Sequence, residues 1–207
     1  QEIATGARRL VSSFKGINGA PSFSPDGRKL AMALSRSGNP EIYVMDLGSR
    51  ALTQLTNHFG IDTEPTWSAD GSRIYFTSDR GGRPQIYQVA STGGSATRVS
   101  FQGTYNARPT VSSDGKKIAM AQGSGNNYRI ALMDSSLGSA RWSMLSPGSQ
   151  DESPSFAPNA AMVLYAASEG GRGVLYAVSA DARVRQRLVV SGGDVREPAW
   201  GPYRLPR

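Results

Sequence analysis

Polar side chains recur at fixed positions before five prolines of the chain, and they are the ones most able to bind a ligand or a partner. An acid or an amide stands three positions before each of the first four prolines, and mostly polar or charged residues stand directly before all five. We interpret them as a polar, largely acidic ring at one mouth of a repeating fold. The two sets are Asn18, Asp62, Asn106 and Asp151, and Ala20, Glu64, Arg108, Ser153 and Glu197.

Three roles compete for this ring. Calcium accepts six to eight oxygens, so carboxylates from several repeats could converge on one ion in a central channel. Convergence alone is not a ligand spacing, and we therefore expect no resident cofactor or metal. The plainest alternative is that acid and amide side chains only cap turns. We favour a surface for a protein partner, because binding residues are usually carried by loops on a rigid scaffold.

The chain contains no recognisable catalytic set. His58 is its only histidine, and it would need a nucleophile and an orienting acid to catalyse or further ligands to bind zinc. We place it in a surface loop. Cysteine is absent, which excludes disulfides and thiolate chemistry. No Gly-x-Ser-x-Gly, Walker or His-Glu-x-x-His string occurs, so we predict that the protein is not an enzyme.

The formal net charge of +7 could indicate a nucleic acid or an acidic membrane surface. Many of the basic residues lie beside predicted turns, as at residues 26–29 and 114–117, and they form no block of like charges. We therefore expect no nucleic-acid partner. No apolar run approaches the roughly 18 residues of a membrane helix and no leader opens the chain, so we expect a chain that is not membrane-embedded.

The five prolines mark an internal repeat. They stand at positions 21, 65, 109, 154 and 198, at intervals of 44, 44, 45 and 44 residues. Four short strands in about 40–45 residues are typical of a β-propeller blade, whereas a β-sandwich keeps no such period. We predict an all-β propeller of four-stranded blades. Apolar residues in register, expected to pack between blades, are Phe23, Trp67, Val111, Phe156 and Trp200; Leu30, Ile74, Ile118 and Val163; and Ile42, Ile86, Ile130 and Leu175.

The first repeat predicts strands over residues 21–24, 29–34, 41–46 and 52–56. Pro21 is expected to start its strand, where no ladder hydrogen bond is lost, and Asp26-Gly27 to form the first turn.

We divide the single propeller portion, residues 1–207, by the same period. Residues 1–20 form the end of a preceding blade, residues 21–64, 65–108, 109–153 and 154–197 are complete repeats, and residues 198–207 are a closing strand. Gln1 falls level with Met45, in mid-strand, so we expect a larger propeller with blades upstream.

Several strings resemble the TolB family of periplasmic proteins, and the resemblance extends over essentially all 207 residues. The Pro-x-Phe/Trp-Ser-Pro-Asp-Gly repeat alone is shared with the propellers of prolyl-oligopeptidase-like serine peptidases, which are the alternative assignment. Asn159-Ala160 in place of Asp-Gly, and Val111 in place of an aromatic residue, depart from the family pattern. The more specific strings are residues 18–27, 42–47, 63–67, 76–79, 82–85 and 198–203.

The resemblance implies a six-bladed propeller preceded by a smaller α/β domain, in the periplasm. It implies a scaffold that binds the lipoprotein Pal at one mouth, with other Tol proteins and bacteriocins as further partners. This binding is expected to support outer-membrane integrity and cell division. Apart from these partners, we expect a monomer. The strings place Asn18, Gly19, Ala20, Thr63 and Glu64 in the partner site. Equivalent loop position adds Asp62, Tyr105, Asn106, Arg108, Asp151, Glu152 and Arg196.

Overall fold

The computed structural model describes residue 2, residues 4–135 and residues 141–201, and within them every regular element is a β-strand. Sixteen strands form four sheets of four, and each sheet is an antiparallel meander in chain order. These sheets are blades 1 to 4 of the predicted propeller. Blade 1 contains β1 (Asn18–Phe23), β2 (Lys29–Leu34), β3 (Glu41–Asp46) and β4 (Leu52–Gln54), and blade 2 contains β5 (Asp62–Trp67), β6 (Arg73–Ser78), β7 (Gln85–Ala90) and β8 (Thr97–Arg98). Blade 3 contains β9 (Tyr105–Val111), β10 (Lys117–Ser124), β11 (Asn127–Asp134) and β12 (Trp142–Met144), and blade 4 contains β13 (Glu152–Phe156), β14 (Met162–Glu169), β15 (Arg172–Ser179) and β16 (Arg185–Leu188).

The turn between the first two strands is built by the repeated Ser-x-Asp-Gly sequence. Ser24 Oγ donates to Asp26 Oδ1 at 2.6 Å, and Asp26 Oδ1 accepts the backbone N–H of Arg28 at 3.0 Å. Gly27 has a φ of 69°, which glycine adopts without a steric penalty. The same bonds recur around Asp70 and Asp114. The turn chemistry predicted from sequence is therefore confirmed.

The prolines do not start their strands, and this prediction from sequence is wrong. Each of the first four stands inside the first strand of its blade, at an interruption of the ladder such as the one between Gly19 and Ser22. The residue before the proline has a positive φ, for example 54° at Glu64. This bend forms a β-bulge, where a strand tolerates a proline because the local ladder bond is already absent.

The cores lie between blades, as the repeat predicts. Ile42 and Leu55 of blade 1 pack with Trp67 and Phe76 of blade 2, and equivalent clusters join blades 2 and 3 and blades 3 and 4. Trp67 also donates its indole N–H to the carbonyl oxygen of Ser22 at 3.0 Å. Radial packing covers both faces of each inner blade, which a lone four-stranded sheet cannot do.

Two residues predicted for the core are exposed instead. Phe23 is 65% exposed and Trp200 is 40% exposed. Phe23 is on blade 1, which has a described neighbour, blade 2, on one side only. Trp200 lies beyond β16, the last described strand. The two terminal segments, residues 4–14 and residues 198–201, contain no strand. The rest of the predicted closing strand, residues 202–207, lies outside the described residues.

Candidate functional site

One end of the propeller carries all the loops that connect neighbouring blades. In an antiparallel meander, the loop after the fourth strand and the loop between the second and third strands lie at the same end. We call this end the upper mouth. Asn39 Nδ2 ties two of its loops together, because it donates to the carbonyl oxygens of His58 at 2.8 Å and Gly60 at 2.6 Å. Its loops are residues 35–40, 55–61, 79–84, 99–104, 125–126, 145–151, 170–171 and 189–195.

The five residues directly before the prolines converge on the central channel. All five have φ between 48° and 56°, a backbone region that costs an L-residue about 1–2 kcal/mol. Strain of this kind persists only where the surrounding structure imposes it, and it concentrates at functional sites. The channel segment they line has a volume of about 400 Å³. The five are Ala20, Glu64, Arg108, Ser153 and Glu197.

Arg108 is the centre of this channel. Its Nε donates to Glu64 Oε1 at 2.8 Å and its backbone N–H donates to Glu64 Oε2 at 3.0 Å. Its Nη1 donates to Ser153 Oγ and lies 3.5 Å from Glu197 Oε1 and 4.0 Å from Glu152 Oε2. Burial lowers the pKa of Arg108, but the three carboxylates outweigh it and raise the pKa overall. One guanidinium thus joins the inner strands of blades 2, 3 and 4.

A cleft of about 410 Å³ opens beside Arg108 between blades 3 and 4. The rings of Tyr105 and Tyr128 meet edge to face on its wall, 5.3 Å apart. Burial raises the pKa of Tyr105, and the carboxylate of Glu64 adds to this effect. Aromatic rings beside a charged cluster are typical of residues that dominate protein interfaces. Five residues predicted from sequence line this cleft, namely Glu64, Tyr105, Arg108, Glu152 and Arg196.

Three other predicted site residues are not on the surface. Asp62, Asn106 and Asp151 are buried, and Asp62 and Asn106 belong to strands rather than loops. Asn106 Nδ2 donates to Gln85 Oε1 at 2.8 Å, which joins two blades. For these three residues the prediction of loop positions open to a partner is wrong, because each is enclosed at the junction between two blades.

The remaining predicted residues lie apart from the cleft. Asn18 and Gly19 begin β1, and Asn18 Nδ2 donates to the carbonyl oxygen of Phe14 at 2.6 Å. Ala20 and Thr63 line the channel with Glu64.

Exposed apolar side chains on the upper mouth were missed by the sequence reasoning. Phe59 is 87% exposed and Phe101 is 60% exposed, and both lie in the loops that lead from one blade to the next. Ile61 is exposed in the same loop as Phe59, and Val189 and Val190 are exposed in the equivalent loop after blade 4. An apolar residue in a Gly- and Asn-containing loop, such as Asn57-His58-Phe59-Gly60, was the available signal.

Acidic and histidine side chains do not gather into a metal site in residues 4–135 and 141–201, where no group of three or more could hold an ion. The channel carboxylates lie around Arg108 instead. The described segments also include no helix that is long and apolar enough to cross a membrane.

Comparison with known proteins points to one family. The family model described as the TolB beta propeller domain matches residues 1–204. A crystal structure of TolB from Acinetobacter baumannii superposes with a TM-score of 0.90 at 51% identity, covering 98% of this chain and 51% of that chain. The curated Tol-Pal system protein TolB of Xanthomonas campestris pv. campestris is 85% identical over 74 residues, which are 36% of this chain and 17% of that protein. The chain thus spans about half the length of the Acinetobacter protein.

A peptidase shares the fold more distantly. A puromycin-hydrolyzing peptidase from Mycobacterium tuberculosis matches 78% of this chain and 28% of its own, with a TM-score of 0.62 and 14% identity. At that identity the likeness concerns the propeller fold alone.

Proposed function

The chain belongs to the TolB β-propeller domain family, and on that premise we propose that its upper mouth binds the peptidoglycan-associated lipoprotein Pal in the periplasm. The protein is then a non-enzymatic scaffold of the Tol–Pal envelope system, and other Tol proteins and bacteriocins are further partners. Pal binding would serve outer-membrane integrity and cell division.

One observation carries the proposal: the charged channel cluster opens directly into an aromatic cleft at the upper mouth. Glu64 and Arg108 belong to both the channel and the cleft, so a partner segment in the cleft would meet a fixed ion pair. Partly desolvated charged groups give orientation and specificity to an interface. Exposed Phe59 and Phe101 add apolar area on other loops of the same mouth, and apolar and polar contacts together are typical of a protein interface.

Calorimetric titration of a soluble Pal domain into the protein tests this proposal. We expect micromolar or tighter binding, and we expect Phe59→Ala and Tyr105→Ala each to weaken it by about tenfold or more, since buried aromatic anchors typically contribute over 1 kcal/mol. A charge reversal at Glu64 should weaken binding as well, but it also disrupts the Arg108 pair.

Val184→Ala is the matched control, because Val184 is an exposed apolar residue in the turn after β15, at the opposite end from the upper mouth. The affinity of the Val184→Ala variant for Pal should equal that of the unchanged protein. Absence of binding at hundred-micromolar concentrations, or equal loss in the Val184 variant, would contradict the proposal.

A further inference from the structure

Two junctions between consecutive blades share one buried hydrogen-bond arrangement. At the junction of blades 2 and 3, the N–H of Asn106 donates to the Pro84 carbonyl oxygen at 2.9 Å, and Gln85 Oε1 accepts Ser100 Oγ at 2.7 Å. At the junction of blades 1 and 2, the N–H of Asp62 donates to the Pro40 carbonyl oxygen at 2.9 Å, and Glu41 Oε2 accepts Thr56 Oγ1 at 2.6 Å. Glu41 and Asp62 thus occupy the places of Gln85 and Asn106.

The two junctions differ in one hydrogen bond. Asn106 Nδ2 donates to Gln85 Oε1 at 2.8 Å. Asp62 has only oxygens on its carboxyl group. The Glu41 and Asp62 carboxyls, which interact with each other, are therefore both acceptors, whereas the Gln85–Asn106 pair has a donor and an acceptor. Asp62 Oδ2 is satisfied by Arg80 Nη2 at 2.6 Å, whereas the buried Asp62 Oδ1 has no partner among the described atoms. A buried polar atom of this kind costs about 1–3 kcal/mol if it stays unpaired.

We propose that Glu41 and Asp62 share one buried proton, and that this proton holds the loop at residues 57–61 in place at the upper mouth. The hydrogen on the Glu41 carboxyl would donate to Asp62 Oδ1, so the pair carries one negative charge, which Arg80 balances. Glu41 is 1% exposed and Asp62 is 0% exposed, and a second negative charge in that space would have no partner.

The loop depends on this pair through Glu41. Glu41 Oε1 accepts the backbone N–H of His58 at 2.7 Å. Gly60 lies so close to blade 2 that an added Cβ would approach Asp79 Oδ1 to 2.7 Å. When the proton leaves to solvent, repulsion between the two carboxylates is relieved by opening the loop and admitting water. Exposed Phe59 lies in this loop, so the consequence for Pal binding rests on the proposed function.

The pH window follows from the groups around the pair. Burial raises the pKa of Glu41 first, and the Asp62 carboxyl raises it further, against hydrogen bonds from Thr56 and His58 that lower it. The other charged or titratable side chains around the pair are Arg80 on Asp62, Asp79, whose Oδ1 accepts the N–H of Ile61 at 2.7 Å, and His58, whose Nδ1 accepts the N–H of Gly60 at 3.0 Å. Because the pKa of Glu41 in the folded state is raised, the stabilisation is complete below its unfolded pKa and is lost as pH rises through its folded pKa.

Amide hydrogen exchange of the purified protein between pH 5 and pH 8 tests the shared proton without any partner. After correction for intrinsic exchange rates, protection of the His58 and Ile61 amides should fall by up to about tenfold per pH unit as pH rises from the pKa of Glu41 in the opened loop to its folded pKa, and should level off above the folded pKa. In the double variant E41Q/D62N, which copies the Gln85–Asn106 junction, protection should not change with pH. The amides of residues 101–104 are an internal control, because an amide pair supports that loop.

A single variant and the pH dependence of the unfolding free energy test the shared proton independently of the double variant. The single variant E41Q removes the titratable group at residue 41 and supplies an N–H to Asp62 Oδ1, so it should behave like E41Q/D62N if the double variant folds poorly. The difference in unfolding free energy between each of these variants and the unchanged protein should grow from pH 5 to pH 8. For Glu169→Gln, which removes an exposed carboxylate of lowered pKa, the difference should stay flat.

Equal pH dependence of loop protection in the unchanged protein and in the variants that fold would overturn the shared proton. Failure of Pal to bind at any pH would instead overturn the proposed function, and it would leave the exchange measurement to decide on the proton.

Discussion

Arg108 and Glu64 lie on the innermost strands of neighbouring blades, and both the Arg108 side chain and its backbone N–H donate to the Glu64 carboxylate, at 2.8 and 3.0 Å. Both residues precede a proline and have a φ of 54°. The bulge in each strand thus turns the pair into the channel. This pair connects the scaffold to the cleft proposed for the partner.

Replacing Arg108 with alanine should destabilise the protein. The change leaves Glu64, Glu152 and Glu197 without their shared cation, and we expect the free energy of unfolding to fall by about 1–2 kcal/mol, discounted for partial exposure of the pair. Urea unfolding measures the loss. Arg183→Ala is the matched control: its pair with Asp181 spans 3.6 Å and is exposed, so its effect should stay within about 0.5 kcal/mol. Equal losses in the two variants would argue against a structural role for the channel cluster.

Trp67 should be the aromatic residue on which the junction of blades 1 and 2 depends most. Its indole is buried and bonds to the Ser22 carbonyl oxygen at 3.0 Å. Trp67→Ala should lower the free energy of unfolding by about 3–5 kcal/mol, and Trp67→Phe by about 1–2 kcal/mol because the carbonyl loses its donor. Thermal or urea unfolding distinguishes the two. Phe59→Ala, at an exposed position, should change stability by less than about 0.5 kcal/mol; a larger change there would mean that the Phe59 loop is part of the packed core.

The fourth repeat should be improved by restoring its glycine. Ala160 has a φ of 58° where the first three repeats have glycines at 69°, 71° and 70°. Ala160→Gly should raise the free energy of unfolding by about 0.5–1 kcal/mol, since the relief of left-handed strain exceeds the entropy that glycine loses. The reverse change, Gly115→Ala, should lower it by about 1 kcal/mol, because the added Cβ meets Ala69 only at 3.4 Å and the backbone conformation is the main cost. We expect the two substitutions to change the free energy of unfolding, measured by urea unfolding, in opposite directions. Changes in the same direction would show that left-handed strain at this turn is not the main cost.

The turn aspartates should make stability fall in acid. The Ser68 hydroxyl first, and then the N–H and hydroxyl of Ser72, lower the pKa of Asp70 to about 2. A lowered folded pKa means that the stabilisation is present above the unfolded pKa and is lost as pH falls through the folded pKa. Asp70→Asn should therefore be less stable than the unchanged protein at pH 6, and the difference should shrink between pH 4 and pH 2.

Asparagine fits this turn, as Asn159 Oδ1 accepting the N–H of Ala161 at 3.1 Å demonstrates, so Asp70→Asn isolates the effect of charge. Urea midpoints at several pH values provide the measurement. A difference that stays constant from pH 6 to pH 2 would exclude the charge as its cause.

The sequence predicted what depends on local chemistry. Strands β2 and β3 begin and end where the repeat placed them, because apolar pattern and the Asp26-Gly27 turn act within a few residues. The position of Pro21 inside β1 was not predicted, since it depends on the positive φ of Ala20. A sequence pattern does not encode the backbone conformation before a proline beyond a general preference for extended structure.

The burial of three predicted site residues at the upper mouth could not be predicted, and the reason is different. Asp62, Asn106 and Asp151 have the residue types of surface loops, but the backbone N–H of each donates to a carbonyl oxygen of the preceding blade, which encloses it. Asn106 is satisfied by Gln85, 21 residues earlier in the chain. Such pairing is a property of blade packing. The cleft residues Tyr105 and Glu152 were found from loop equivalence alone, whereas the exposed Phe59 had no counterpart at an identical position in the other repeats.

We propose that the partner lies on the upper mouth, and a hydrogen-exchange footprint of the Pal complex tests this location most directly. With Pal bound, exchange should slow in residues 57–61, 99–108 and 189–196, and it should stay unchanged in the turns at residues 24–28 and 68–72 at the opposite end. Protection confined to those turns, with the upper mouth unchanged by saturating Pal, would contradict the account.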